Sequence, residues 1–281
     1  MSSDQIYTRL ERLQMEEIPR HSSLRTWQRI NACEFDTPAE FACAILKEGQ
    51  KFITQYLRDA TGTTKRKTPA SDGIITIRSK LYKSSDLPAR RDGHTRQDER
   101  WTSRSSTHED KSAFRTASWD EFNAVLFTDR NRNEGRYTPD ILEVTEVCNW
   151  NDKMPQLEDG LTDISLSLWA MYHKMPTFLS NRRFMVIVAT ARFSDNMFLT
   201  VKVPVEPVHN STRPCIDGQY VSIEKVERFP DSREIQWDMA TASDAGGMLP
   251  LWVQRPGIGP AIAKDVGLVM KYLHSFRVDS D

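Results

Sequence analysis

The end of the chain leaves few folds open to it. Trp237 to Ser243 reads as a strand, Gly246-Gly247 offers a hinge, and the stretch to Arg277 is amphipathic. After the hinge, apolar side chains fall at Ile258, Ile262, Val266, Val269, Met270, Leu273 and Phe276. Steps of three and four set these on one side of a helix. A strand closed by one long striped helix predicts a helix laid across a curved sheet. The space between two such layers is often a ligand cavity.

The residues before the hinge supply that sheet. Leu161–Trp169 sets Ile164, Leu166 and Leu168 against Asp163, Ser165 and Ser167, the period-two pattern of a half-buried strand. Phe184–Phe193 and Met197–Val205 are apolar strands joined by Ser194-Asp195-Asn196, a plausible hairpin length. Tyr220–Arg228 and Glu234–Ser243 form a second pair, joined by residues 229–233. Strands linked by turns rather than helices predict an antiparallel sheet in an α+β fold, not a doubly wound one.

Residues 4–17 carry Ile6, Leu10 and Leu13 on one side and predict a helix. Thr37-Pro38-Ala39-Glu40 combines a cap residue, proline at the first helical position and glutamate three residues after the cap. The helix it opens runs through Phe41, Ile45, Leu46, Phe52, Ile53 and Leu57 towards Gly62, with Gly49 as a candidate interruption. Residues 61–98 read as surface loop apart from a short strand at Ile74–Ile77. Arg100–His108 reads as a strand, and Ser118-Trp119-Asp120-Glu121-Phe122 opens a short helix. The outline is one domain: N-terminal helices over 1–60, a loop or insert over 61–98, the sheet over 99–249 and the closing helix over 250–277.

With 281 residues, 38% of them hydrophobic, the chain can bury a core. A formal net charge of -1 gives no global attraction to nucleic acid. Residues 58–115 hold fourteen Lys and Arg against eight Asp and Glu. Such a stretch reads as a solvated basic loop ahead of a phosphate or anionic-lipid site. The start has no apolar run of the signal-peptide kind, and no segment approaches the roughly 20 apolar residues of a membrane span. Cys33, Cys43, Cys148 and Cys215 are scattered, which predicts free thiols and a cytoplasmic protein. Asn210-Ser211-Thr212 fits a glycosylation acceptor but reads as a turn.

Familiar catalytic signatures are absent: no G-x-S-x-G, no H-E-x-x-H, no P-loop. Gly257-Ile258-Gly259 lacks a third glycine at position 262 and reads as a loose helix start. His21, His94, His108, His173, His209 and His274 are not spaced as a metal pair, so neither metal nor other cofactor is expected. Polar side chains on strand faces remain. Tyr220, Ser222, Glu224, Val226 and Arg228 share one face and Val221, Ile223, Lys225 and Glu227 the other, a mixture that leaves the inward face open. A carboxylate such as Glu224 or Asp163 in an apolar cavity has its pKa raised by desolvation, and an arginine partner holds it ionised. Such a pair can orient water or polarise a carbonyl. Arg104, Arg183, Arg192 and Arg228 are the candidate partners.

Several blocks now add up. Residues 101–110 (Trp101 to Asp110), Ala117–Phe122, His173-Lys174-Met175-Pro176, Gly218–Val226, Met239–Gly247 and Ala263-Lys264-Asp265-Val266 occur in this order. Together they resemble successive blocks of a fungal START-like family catalogued only as a domain of unknown function, across roughly residues 35–277. That family is similar to START lipid-transfer domains, aromatic polyketide cyclases and pollen-allergen-like proteins. The resemblance implies a helix-grip fold: a curved antiparallel sheet around a long C-terminal helix, with an internal apolar cavity.

The resemblance implies two functions, because one fold hosts many chemistries. The first, which is preferred, is an enzyme of fungal secondary metabolism without metal or redox cofactor. It folds an apolar polyketide for cyclisation or hydrolytic release, for example by lactonisation to an α-pyrone. A polyketide synthase carrier protein is then a candidate partner. Asp163, Glu224, Arg104 and Arg228 are the candidate catalytic residues. His108, His173, Tyr220, Trp237, Asp244, Val266 and Met270 are the candidate substrate contacts. Asp244 has a rival role as cap of the turn before the last helix, and His173 as a structural side chain at a strand end. The second function is a non-catalytic carrier of a sterol, fatty acid or similar lipid. A carrier needs an almost wholly apolar lining with one head-group contact; an enzyme needs convergent polar groups, at least one desolvated.

Overall fold

Local sequence chemistry sets the first helix, α1 (Pro38–Asp59). Thr37 Oγ1 accepts from the Glu40 N–H at 3.1 Å, and the Glu40 carboxylate accepts from the Thr37 N–H at 3.1 Å. The structure, a computed structural model, describes residues 6–278 apart from 91, 92, 94, 96, 176–178, 209–213, 245 and 247–250; the side chains of 251–257 and 278 are also outside the described set. Expectations that fall on His94, Pro176, His209, Asn210-Ser211-Thr212 and Gly247 therefore lie outside the described residues.

Ten strands follow or flank α1. They are β1 (Thr64–Thr68), β2 (Ser71–Tyr82), β3 (Glu99–Glu109), β4 (Ile141–Asn149), β5 (Leu157–Glu158), β6 (Leu161–His173), β7 (Arg182–Ser194), β8 (Met197–Pro204), β9 (Ile216–Phe229) and β10 (Glu234–Asp244). Between β3 and β4 lie α2 (Trp119–Phe122), a π-helical turn (Asn123–Phe127) and α3 (Arg130–Tyr137). The chain closes with α4 (Leu251–Val278). One ten-stranded sheet runs in the order β1-β2-β3-β10-β9-β8-β7-β6-β4, with β5 on β6. Ladders between neighbours in this order are antiparallel. A short parallel contact also joins Arg182–Phe184 to Ile216–Gly218.

The sheet is covered on both faces. α1 packs on β6 to β9, where Leu166, Leu168, Ile187, Ala189, Leu199, Val201, Val221 and Ile223 meet Phe41, Ile45, Leu46, Phe52 and Ile53. α4 packs on β1 to β3 from the other side and places Ile262, Val266, Val269, Met270 and Leu273 in a core with Ile75, Ile77, Val226 and Trp237. Burial stabilises by about 1.5–3 kcal/mol per large apolar side chain, so this stripe is enough to hold the helix on the sheet. Phe276, the last member of the predicted stripe, is exposed. Because Val226 faces α4 and Val221 and Ile223 face α1, the α4 face of β9 is the one carrying Tyr220, Ser222, Glu224 and Arg228.

Three expectations need correction. Residues 6–17 form no α-helix: the Thr8 N–H and the Tyr7 N–H both donate to the Glu48 carboxylate of α1, and the Leu13 N–H donates to the Pro204 carbonyl at 2.8 Å. These long-range bonds take the donors a helix would use, leaving only the 3-10 turn Met15–Glu17. Residues 61–98 contain two strands rather than mostly loop, β1 at the sheet edge and β2 beside it, and the basic residues of β1 are tolerated because its side chains are almost all exposed. Gly49 does not interrupt α1. A Cβ at Gly49 would sit 2.5 Å from Val201 Cγ2, so glycine here lets the helix approach β8. Gly49→Ala is expected to lower stability by about 1–2 kcal/mol, overpacking outweighing the gain in helix propensity. Urea midpoints test this; a more stable variant would mean that Val201 yields freely.

Candidate functional site

The α4 face carries a buried charged cluster in an otherwise apolar layer. Glu224 of β9 lies at its centre. Its carboxylate accepts from Arg104 Nη2 of β3 at 3.0 Å, from Trp237 Nε1 of β10 at 2.7 Å and from Arg130 Nε of α3 at 2.9 Å, with a further short bond from Arg130 Nη2. The β9–β10–β3 register explains the convergence: Met239 stands opposite both Glu224 and Arg104, so the carboxylate and the guanidinium flank one residue of the strand between them. Arg104 is stacked on the Trp237 ring, 3.8 Å from its centre. Arg130 extends the network to Glu134 at 3.0 Å, and Lys202 of β8 also donates to Glu134, at 2.5 Å.

Burial alone would raise the Glu224 pKa, but Arg130 and Arg104 hold it below its ordinary value. Glu134 is likewise held down at about 2 by Lys202 and Arg130 against the cost of burial. Burial pulls Lys202 down to about 8, with Arg130 adding to the fall and Glu134 opposing it. Both carboxylates are therefore ionised and committed to cations. A carboxylate fixed by three donors is a poor general base, so Glu224 anchors and aims Arg104 rather than offering a proton acceptor.

Asp265 differs from these two acids. It sits on α4 between Ile262 and Val269, on the stripe that faces the sheet, and is half-buried. Among the described residues it has no hydrogen-bond or ion-pair partner. Burial raises its pKa to about 7; Arg104 and Arg130 pull the other way, while Glu134 and Glu224 add to the rise. Arg104 is also incompletely satisfied: its Nε and Nη1 are buried without an acceptor, although the side chain is 1% exposed. His108 donates or accepts at Ser106 Oγ, 2.9 Å away, and its Nδ1 is without a partner. Burial, with help from Arg104, lowers the His108 pKa to about 4, so the ring is neutral.

The predicted site residues divide cleanly. Glu224, Arg104, His108 and Trp237 come together, and Val266 and Met270 line the same layer from α4. Tyr220 is half-buried on that face, where its hydroxyl meets Met171 Sδ at 3.3 Å. His173 packs edge-on to Phe184 with Nε2 unpartnered, and burial lowers its pKa. Three residues fall away from the cluster. Asp163 has a left-handed φ of 50° beside a register shift at the start of β6; its carboxylate, 60% exposed, pairs with Arg192 at 2.7 Å. Arg228 shares the Glu224 face but lies four residues on, binding Asn196 Oδ1 and covering Trp119. Asp244 accepts from the Gly246 N–H at 2.9 Å and so caps the turn where Gly246 has a φ of +67°. Arg183, a further candidate partner, is engaged by Asp217 at 2.6 Å.

Arg130, Glu134, Lys202 and Asp265 were not legible as a site. Lys202 left a signal, a lone cation in a strand that is otherwise apolar or small. Asp265 left another, a carboxylate inside the apolar stripe. α3, Arg130–Tyr137, left none, because eight mostly polar residues read as loop.

Residues 101–273 match the family described as "Protein of unknown function (DUF3074)", a span that includes every member of the charged cluster. The chain belongs to the DUF3074 family. No curated protein matches it. Among solved structures, human StAR-related lipid transfer protein 5 is similar with a TM-score of 0.56 and 13% identity, covering 85% of this chain and 99% of that one. Human STARD10 is similar with a TM-score of 0.52 and 12% identity, covering 82% of this chain and 80% of that one. At such identities the likeness is one of fold. This DUF3074 chain therefore has the START-like helix-grip fold, a curved antiparallel sheet with a C-terminal helix laid across it. Among its described residues no helix is long and apolar enough to cross a membrane, and no cluster of His, Cys, Asp or Glu is arranged to hold a metal ion.

Proposed function

We propose that this protein binds an elongated, largely apolar small molecule of the lipid class between α4 and the sheet, with the polar end of the ligand on Arg104. The observation that carries this reading is the pair of Arg104 nitrogens, Nε and Nη1, buried without acceptors beneath an apolar helix. A buried donor left unpaired costs about 1–3 kcal/mol, which a ligand oxygen would return. Met239, Ile258 and Leu268 pack against the α4 core yet stay half-buried, which fits a layer with room for an apolar body. The two human START proteins of the same fold lend support, one of them named for lipid transfer. The free cysteines Cys33, Cys43, Cys148 and Cys215 fit a reducing compartment, and we assign the protein to the cytoplasm. Native mass spectrometry after incubation with fatty acids, sterols, phospholipids and a linear polyketide acid tests the reading. A one-to-one complex with at least one of them is expected, and failure to retain any would remove it.

One observation favours a second reading, the polyketide cyclase or hydrolase of a fungal biosynthetic pathway. Among the described residues Asp265 is unpaired, and it is close to neutral in pKa and within the field of Arg104. An acid poised near 7 can move a proton at either stage of an enolisation or acyl-transfer step, and an adjacent guanidinium can stabilise the developing oxyanion. Cyclisation, hydrolytic release or lactonisation to a pyrone would use those two roles, with a polyketide synthase carrier protein as donor. Unchanged recovery of linear polyketide acids and thioesters would end this second reading and leave the first intact.

A further inference from the structure

The charges of the cluster do not balance, and the imbalance falls on one residue. Arg104, Arg130 and Lys202 bring three cations, while Glu134 and Glu224 bring two anions. Arg130 is engaged through Nε and Nη2 with Glu224 and through Nη1 with Glu134, and Lys202 is engaged with Glu134. Only Arg104 keeps two donors in reserve, and Glu224 and the Trp237 ring hold its guanidinium in place. Asp265 faces this cluster from the helix above and makes no bond to it.

Resting on the binding role above, we propose that Arg104 and Asp265 together form a site for the carboxylate of a long apolar acid, and that Asp265 takes up a proton when the acid binds. One ligand oxygen accepts from one of the two unengaged Arg104 donors, Nε or Nη1, which lie on opposite sides of the planar guanidinium. The other accepts from the protonated Asp265 carboxyl. The proton comes from solvent and the ligand enters as a monoanion, so the one surplus positive charge is cancelled. A neutral head such as an ester or a sterol hydroxyl leaves that charge uncompensated. A doubly charged phosphate overshoots it. Fatty acids and polyketide acids share the required chemistry.

The charges around Asp265 support a proton-linked site. β3 presents Arg104 and the neutral His108, α3 presents Arg130, Glu134 and Tyr137, β9 presents Glu224 and β8 presents Lys202. β2 presents Ile75 and Ile77, and β1 brings Arg66, exposed at the sheet edge opposite Ile75. On α4 itself, Lys264 points away to Asp140 at 3.7 Å. Two nearby carboxylates already favour the neutral form of Asp265, and a ligand carboxylate would favour it further. Ionised Asp265 would instead compete with the ligand for Arg104. Affinity for the acid is therefore flat below about pH 7 and falls about tenfold per pH unit above it.

Calorimetric titration with oleate, methyl oleate, oleyl alcohol and a linear polyketide acid, at pH 6 to 8.5, tests this. Oleate or the polyketide acid is expected to bind at least about tenfold more tightly than methyl oleate or oleyl alcohol, with the stated pH dependence. Which acid binds separates the two sources. Asp265→Asn, which keeps a donor and cannot ionise, is expected to lose the fall that begins at about pH 7 and keep only the later one set by Lys202 at about 8, and Arg104→Lys to lose the preference for acid over ester. Equal binding of ester and acid, or a wild-type affinity that does not change with pH, would overturn the carboxylate site while leaving apolar ligand binding in place. Binding of none of the four would overturn the carboxylate site; the binding role falls only if sterols and phospholipids also fail to bind.

Discussion

Glu224→Gln is expected to cost this protein about 3–5 kcal/mol of stability, the loss typical of removing one partner from a buried charge network. Arg104, Arg130 and the Trp237 indole N–H all converge on this carboxylate, and Glu224, Arg104 and Arg130 are each less than a tenth exposed. The amide keeps the shape and removes the charge, leaving two guanidiniums close together with no shared counterion. Asp163→Asn is the control: its ion pair with Arg192 is 60% exposed on the carboxylate side, where such pairs contribute about 0–1 kcal/mol. Urea unfolding at neutral pH measures both. A Glu224→Gln loss no larger than that of the control would show that the cluster does not organise the α4 face. Acid should act on the same network. The folded-state pKa of Glu134 lies at about 2 against an ordinary 4.5, so its contribution is present above about 4.5 and is lost as pH falls towards 2.

Asp265→Asn is expected to do the opposite and stabilise the ligand-free protein at neutral pH and above, by about 2–4 kcal/mol at full effect. The sign follows from a folded pKa raised to about 7 from an ordinary 3.8. The folded state holds a proton that the unfolded state has released, so the stability contribution is complete below about 3.8 and is lost as pH rises through 7. Wild-type and variant should thus be close at pH 4 and separate steadily up to about pH 8. The same gap at both ends would mean that Asp265 ionises normally. A residue that weakens the fold at working pH and has no partner is what a ligand site looks like when function opposes stability.

The fold was largely readable because its signals are local and periodic. The capping box at Thr37, the alternation of β6 and the stripe of α4 each follow from the geometry of one element. The errors arose where distant contacts override local preference. Residues 6–17 carry a helical pattern, but Glu48 takes their N–H groups. β1 carries a loop-like composition, but β2 supplies a ladder for it.

The candidate site divides in the same way. Sequence alone determined that Glu224 and Arg228 share a strand face, that a glycine precedes the last helix, and that Val266 and Met270 lie on its buried side. Only the tertiary structure decided which face points at α4. It also decided that Glu224 and Arg104, 120 residues apart, share a hydrogen bond, and that α3 supplies the second arginine. Periodicity fixes a side chain's direction relative to its own strand. Charge pairing depends on strand order and register, here β3 beside β10 beside β9, and on a short polar helix whose residues reveal their partners only when the chain has closed over them.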